Sequence, residues 1–194
     1  MLLNKKILVA SILYIFVAAG AFEADANDAP LWKEVGQWTV KVDPTLGNGC
    51  FLFALYEKGT VFRIGINSES DVGYLILGNP EWRSLERGKD YNIRIQFDDE
   101  VPWEAIATGI DLDAGTAFLY AEFSKTEFFQ EFATKHVVEF HYSNKLIARL
   151  SLRDSYEALE ELHRCQRAMW SSPMEDRPSD PFSSEPAASD PFAS

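Results

Sequence analysis

Alternating apolar and polar residues form the dominant pattern in the middle of this chain. In residues 90–97 every second side chain is apolar, and residues 60–67 have the same period. A period of two is that of a β-strand with one buried face. Residues 50–56 are apolar on both faces, which predicts a central strand. Further strands are predicted at residues 37–42, 72–77, 103–110, 117–123, 137–142 and 145–152.

Two segments have the period of a helix. Ser124 and Glu127 have the spacing of a capping box, and a Phe-rich stretch at helical spacing follows them to residue 135. A second helix is predicted from residue 154 or 155 onward, since four apolar residues fall on one face. These four residues are Ala158, Leu162, Cys165 and Met169. A single helical turn is predicted within residues 82–89.

These elements predict one α+β domain over residues 27–170. Its fold is either an antiparallel β-sandwich or a strongly curved β-sheet, covered by two helices. From residue 171 the composition changes to Ser, Pro, Asp and Ala, which predicts a disordered tail over residues 171–194. The tail repeats Ser-Asp-Pro-Phe at 179–182 and 189–192, so a docking role for Phe182 and Phe192 is the alternative to a plain tail.

The first 26 residues have the pattern of a signal peptide. Two lysines precede an apolar run, and Ala24 and Ala26 place small side chains at the positions that a signal peptidase accepts. The run would extend about 24 Å as a helix, which is shorter than the hydrocarbon core of about 30 Å. We therefore expect cleavage, with a retained membrane anchor as the alternative. The mature protein would be periplasmic or secreted and would have no stable membrane span.

The chain has two cysteines, Cys50 near the start of the predicted domain and Cys165 near its end. In an oxidising compartment such a pair most often forms a disulfide, whereas in the cytosol both would remain thiols. The predicted export therefore favours a structural disulfide. Their spacing is not that of a Cys-x-x-Cys redox motif.

The formal net charge of -12 argues against partners that are themselves anionic. An acidic protein repels nucleic acid backbones and anionic lipid surfaces. We therefore expect no nucleic acid as a partner. Solubility is the simplest explanation of the excess of carboxylates.

Candidate catalytic chemistry is limited to one pair of residues. Glu139 and His141 share a strand face, so an oriented histidine base is possible, but no Gly-x-Ser-x-Gly nucleophile motif occurs. The sequence therefore predicts no catalytic residues, with a periplasmic hydrolase using Glu139 and His141 as the alternative. The spacing of Asp111, Asp113 and Gly115 begins like a calcium loop and lacks its later ligands. No cofactor and no metal are predicted.

Tryptophans are the other candidate binding residues. Trp82 and Trp103 lie beside turns, where they either close the ends of the sheet or contact a sugar or peptide.

The end of the predicted domain carries a resemblance to a known family. Residues 148–152, Ala-Arg-Leu-Ser-Leu, are followed by Ser155 and the pair Ala158-Leu159. This ending resembles that of small exported bacterial proteins of the invasion-associated locus B family, in which a last strand with Ser-Leu leads into a helix with Ala-Leu. The cysteine arrangement of that family is not reproduced. The resemblance implies an exported bacterial protein.

Taken together, the sequence predicts an envelope-associated, non-catalytic binding module rather than an enzyme. The expected partner is an envelope protein or a glycan. Its expected contact surface is the sheet face that carries Arg63, Arg94, Glu139 and Arg149.

Overall fold

A computed structural model describes residues 29–113 and 116–171. These residues form one ten-stranded β-sheet and two α-helices. The strands are β1 (Leu31–Val35), β2 (Trp38–Asp43), β3 (Gly49–Leu55), β4 (Val61–Asn67), β5 (Val72–Gly78), β6 (Asp90–Phe97), β7 (Trp103–Asp113), β8 (Thr116–Phe123), β9 (Val137–Tyr142) and β10 (Lys145–Ser151). The helices are α1 (Lys125–Thr134) and α2 (Ser155–Ser171).

All neighbouring strands of the sheet are antiparallel. Their spatial order is β1-β2-β3-β4-β5-β8-β7-β6-β9-β10. The first five strands follow chain order, and β8 then pairs with β5. The hairpin of β6 and β7 therefore lies between β8 and β9. The central position predicted for residues 50–56 is confirmed, because β3 lies inside the sheet and has both faces largely covered.

The inner face of the sheet forms the main hydrophobic core with the two helices. Trp38 and Phe62 pack against Phe132 of α1, with ring centroids 5.2 and 6.3 Å from it, and Phe140 packs against Phe62 at 5.7 Å. Buried Ala158, Leu162 and Cys165 of α2 face the same core, as their spacing predicts. Burial of this apolar surface is the main stabilising contribution to the fold.

The sheet curves until its last strand reaches the first hairpin. Gln37 Nε2 and the Tyr56 hydroxyl each donate to the carbonyl oxygen of Ser151 at 2.7 Å. Trp38 Nε1 donates to the carbonyl oxygen of Arg153 at 2.9 Å. The α+β class is thus confirmed, and of the two predicted arrangements the structure has the curved sheet.

A disulfide joins Cys50 of β3 to Cys165 of α2, which is the pairing that the sequence predicts. Gln166 reinforces this contact, since its Oε1 accepts from the Cys50 backbone N–H and its Nε2 donates to the Ser68 hydroxyl, both at 2.8 Å. Lys33 of β1 also forms a 2.8 Å ion pair with Glu161 of α2. The last helix is therefore fastened to the first three strands.

One local prediction is wrong. The sequence suggests no strand before residue 37, yet β1 forms at Leu31–Val35 because it pairs with the edge of β2. The single turn predicted within residues 82–89 is present as a hydrogen-bonded turn, since the Leu85 N–H donates to the Trp82 carbonyl, but it does not continue into a helix.

The predicted signal segment, with its cleavage residues Ala24 and Ala26, lies outside the described residues. The predicted tail also lies outside them, except that Ser171 is the last residue of α2. In residues 29–113 and 116–171, no helix combines the length and the hydropathy that a membrane crossing requires.

Candidate functional site

The sheet opens between β7 and β8. The register of this pair ends at Thr108 and Tyr120, although β7 begins at Trp103 and β8 continues to Phe123. Ala107 and Ala121 would form the next pair of the ladder, followed by Ile106 and Glu122, but neither pair is formed. The two strands therefore diverge and leave a cleft within an otherwise continuous sheet.

Aromatic packing explains why the strands diverge. The Phe128 ring of α1 lies between two rings, with its centroid 5.5 Å from that of Trp103 and 4.1 Å from that of Phe123. Phe123 in turn lies over Gly73 of β5, where an added Cβ would be 2.4 Å from the ring. Because Gly73 has no side chain, Phe123 leans toward β5, and Phe128 occupies the space between the strands.

The β7–β8 cleft has a volume of about 510 Å³. Such a volume is typical of sites for small ligands. Its floor reaches the main core and is apolar, formed by Leu75, Ile95, Ala105, Ala121, Phe123 and Phe128. Its mouth lies on the outer face of the sheet and is mostly polar, formed by Glu104, Ile106, Thr108, Tyr120 and Glu122.

Two carboxylates dominate the mouth of the cleft. The Tyr120 hydroxyl donates to Glu122 Oε1 at 2.7 Å. Burial, together with this nearby carboxylate, raises the pKa of Tyr120 well above its ordinary value, so the phenol stays neutral and remains a donor. Glu104 is exposed and has no hydrogen-bond or ion-pair partner among the described side chains. The mouth is therefore anionic, while the floor is apolar.

The four residues predicted to share a contact surface do share the outer face, as the strand registers place them. Arg63 is fully engaged there. Its guanidinium forms an ion pair with Asp43, its Nε donates to the Tyr74 hydroxyl at 2.7 Å, and it stacks 3.6 Å from the centroid of the Phe51 ring. Burial, offset by the contact with Arg63, still raises the pKa of Tyr74 to about 12. This cluster satisfies its own polar groups.

Arg94 has a different environment on the same face. It lies between Glu104 of β7 and His141 of β9 in the registers of the two pairs. No described side chain forms an ion pair with it, and its Nε is buried without a hydrogen-bond partner. Such a buried unpaired donor is destabilising.

The predicted Glu139–His141 contact does form, with 3.1 Å between Glu139 Oε2 and His141 Nε2. The other carboxylate oxygen of Glu139 accepts from Arg149. Among the described residues no Ser or Asp side chain is hydrogen-bonded to His141, and neither residue lines the β7–β8 cleft. Glu139 thus forms an ion pair with Arg149 and a side-chain contact with His141.

Tryptophans occupy contrasting positions. Trp38 is buried, and Trp103 lines the cleft and donates from Nε1 to Glu131 Oε2 at 3.0 Å. Trp32 and Trp170 are exposed.

Of the residues spaced like the start of a calcium loop, Gly115 lies outside the described residues. In the described ranges no group of three or more His, Cys, Asp or Glu side chains is placed to hold a metal ion.

Sequence reasoning missed the cleft. The helical spacing places Phe128 in a Phe-rich helix, and Trp103 is predicted at a sheet end or a ligand contact, whereas the two rings together hold the strands apart. The apolar period of β8 continues to Phe123, so no break in pairing is visible in the sequence.

In comparisons with known proteins, no family model, no curated protein and no solved structure matches this chain. The resemblance of residues 148–159 to the invasion-associated locus B family therefore stays a prediction.

Proposed function

We propose that the protein is an exported, non-catalytic binding module that works in the periplasm or outside the cell. The signal pattern of residues 1–26 supports export, and so does the Cys50–Cys165 disulfide, since such bonds persist in oxidising compartments. Envelope proteins and glycans are the partners that this location offers.

The β7–β8 cleft is the observation on which the binding role rests. A sheet normally pairs its backbone groups, because unpaired groups cost free energy when they are buried. Here the ladder is interrupted beside an apolar floor of about the size that a small ligand fills. Such an opening gives a ligand access to apolar surface through a polar mouth.

A hydrolase is supported less well by the geometry. The Glu139 carboxylate is shared between His141 and Arg149, and among the described residues no Ser or Asp side chain is hydrogen-bonded to His141. The hydrolase has in its favour only the 3.1 Å contact between Glu139 and His141.

Binding of a neutral apolar dye tests the cleft. We expect N-phenyl-1-naphthylamine to become fluorescent with the wild-type protein and not with Ala105→Phe, whose larger side chain fills the floor. Ala133→Phe is the matched control, because Ala133 is also a partly buried alanine but does not line the cleft. Equal dye binding by the wild type and Ala105→Phe, with both proteins folded by circular dichroism, would contradict the proposal.

Export has its own test. The full chain, expressed in a bacterium, is expected in the periplasm or medium with Asn27 as its first residue and a mass lower by two hydrogens. A product that still begins at Met1 would contradict export as proposed.

A further inference from the structure

We infer that the β7–β8 cleft takes a small ligand with an apolar body and a cationic group, such as a protonated amine, at one end. This inference rests on the proposed binding function and names the ligand class of the same site. Two separate observations carry it, the composition of the floor and the charge at the mouth.

The floor selects an apolar or aromatic body. Trp103, Ala105 and Phe123 line the cleft and are only partly buried, so they offer accessible apolar surface. Beneath them lie the nearly fully buried core residues Leu75, Ile95, Ala121 and Phe128. Transfer of an apolar group from water onto this floor is favourable in proportion to the area covered. The ring of Trp103 adds an aromatic wall beside the floor.

The mouth selects a positive charge. On the β7 wall, Glu104 is exposed and has no partner among the described side chains. On the β8 wall opposite, Glu122 accepts a hydrogen bond from neutral Tyr120. Arg94 is opposite Glu104 in the register but forms no ion pair with it within 4 Å. A cation at the mouth would therefore meet carboxylate oxygens of both walls. The formal net charge of -12 adds long-range attraction for cations.

The same charge argues against the chain's own tail as the occupant. Phe182 and Phe192 could in principle supply apolar anchors, but each directly follows an Asp-Pro pair. In residues 172–194 acidic residues outnumber the single basic residue, Arg177. An acidic segment at an anionic mouth is repelled, so the tail is the less favoured ligand.

A pair of probes with the same body and opposite charge tests the inference. We use 4-phenylbutylamine as the cation and 4-phenylbutyrate as the anion, each titrated against the full chain with N-phenyl-1-naphthylamine as the displaced dye. The amine is expected to bind at least about tenfold more tightly than the carboxylate at low salt. Raising the salt concentration should reduce this ratio, because exposed charges are screened.

Charge-removing variants locate the effect. Glu104→Gln and Glu122→Gln are expected to lower the ratio of the two affinities several-fold each without abolishing dye binding. Glu160→Gln is the matched control, since this exposed glutamate of α2 lies outside the cleft and its loss changes the net charge equally. An equal effect of all three variants would show that only the net charge matters and would overturn the inference.

The remaining outcomes are distinguishable. If the dye binds the wild type but both probes displace it equally, the binding function stands and the cationic ligand class is wrong. If neither the dye nor the amine binds, both proposals fail. If the amine binds only after Phe182→Ser and Phe192→Ser are introduced together in the full chain, the tail occupies the cleft and the inference is overturned.

Discussion

The two parts of the sheet on either side of the β7–β8 cleft are stabilised in different ways. Strands β1 to β3 pack against α2 and are joined to it by the disulfide and Gln166. On the outer face of the same part, Arg63 is paired with Asp43 and Tyr74. Beyond the cleft, Arg94 stands at an equivalent mid-strand position and has no described partner.

The difference shows that two arginines which look alike in the sequence can have opposite roles. A half-buried arginine with a carboxylate, a hydroxyl and an aromatic ring around it holds neighbouring strands together. An arginine without partners, such as Arg94, does not hold neighbouring strands together. The cleft thus lies between the part of the sheet that the disulfide joins to α2 and the part that carries Arg94.

The largest effect is expected from removal of the disulfide. The double variant Cys50→Ala and Cys165→Ala should lose about 4 kcal/mol of unfolding free energy, because the bridge closes a long loop. Urea unfolding followed by tryptophan fluorescence measures this loss. Wild-type protein treated with a reducing agent serves as the control and should lose a similar amount. A double variant as stable as the oxidised wild type would contradict the role given to this bridge.

Arg63→Met should have the next largest effect, about 3 kcal/mol, because Asp43 would be left nearly buried without its charge partner. Arg149→Met is the matched control on the same face. Its arginine is mostly exposed in its pair with Glu139, so a loss of at most about 0.5 kcal/mol is expected. Equal losses in urea unfolding would mean that burial of the Arg63 pair is unimportant.

Acid should weaken the same cluster. Burial raises the pKa of Asp43, but the hydrogen bonds from Thr45 and the contact with Arg63 lower it further, so its net pKa is below the ordinary 3.8. The resulting stability is fully present above the unfolded pKa and is lost as the pH falls through the folded pKa.

The difference in unfolding free energy between wild type and Asp43→Asn should therefore be constant above about pH 5 and should shrink at pH values below 3.8. Denaturant unfolding at a series of pH values measures it. The same measurement on Asp98→Asn should show the same pH dependence. Burial raises the pKa of Asp98, but hydrogen bonds from the backbone N–H groups of His136 and Val137 lower it further. A difference in unfolding free energy that grows as the pH falls would contradict this prediction.

The smallest effect is expected for Arg94→Met. Removal of the buried, unpaired Nε should leave the stability unchanged or raise it by about 0.5 kcal/mol, since the methionine keeps the apolar stem. Thermal unfolding beside Arg63→Met measures the contrast directly. If both variants are destabilised alike, the two arginines contribute equally to stability despite their different surroundings.

Much of the fold could be predicted because it depends on local periodicity. The alternation in residues 90–97 matches β6 residue for residue, and the helical spacing around Cys165 correctly predicts its inward orientation. Strand β1 was missed because Leu31 and Trp32 are largely exposed, so no buried face marks the segment. The predicted capping box at Ser124 is only half correct, since Ser124 is the N-cap residue but its side chain makes no cap hydrogen bond.

The candidate site could not be predicted in the same way. It depends on Phe123 leaning over Gly73 and on Phe128 entering between two strands, and these residues come from three elements. Likewise, the difference between Arg63 and Arg94 is set by Asp43 and Tyr74, which only the sheet order brings beside Arg63. Contacts between distant segments leave no periodic signal in one sequence.

The disulfide also distinguishes chains in which the last helix has docked from chains in which it has not. Its two sulfurs are the only cysteine sulfurs of the chain, and they lie in the third strand and in the last helix. Until residue 165 has been synthesised, Cys50 has no cysteine with which to pair inside the molecule. A thiol reagent would consequently label unfinished or truncated chains at Cys50 and leave finished molecules unlabelled, so the bond acts as a chemical mark of completed folding.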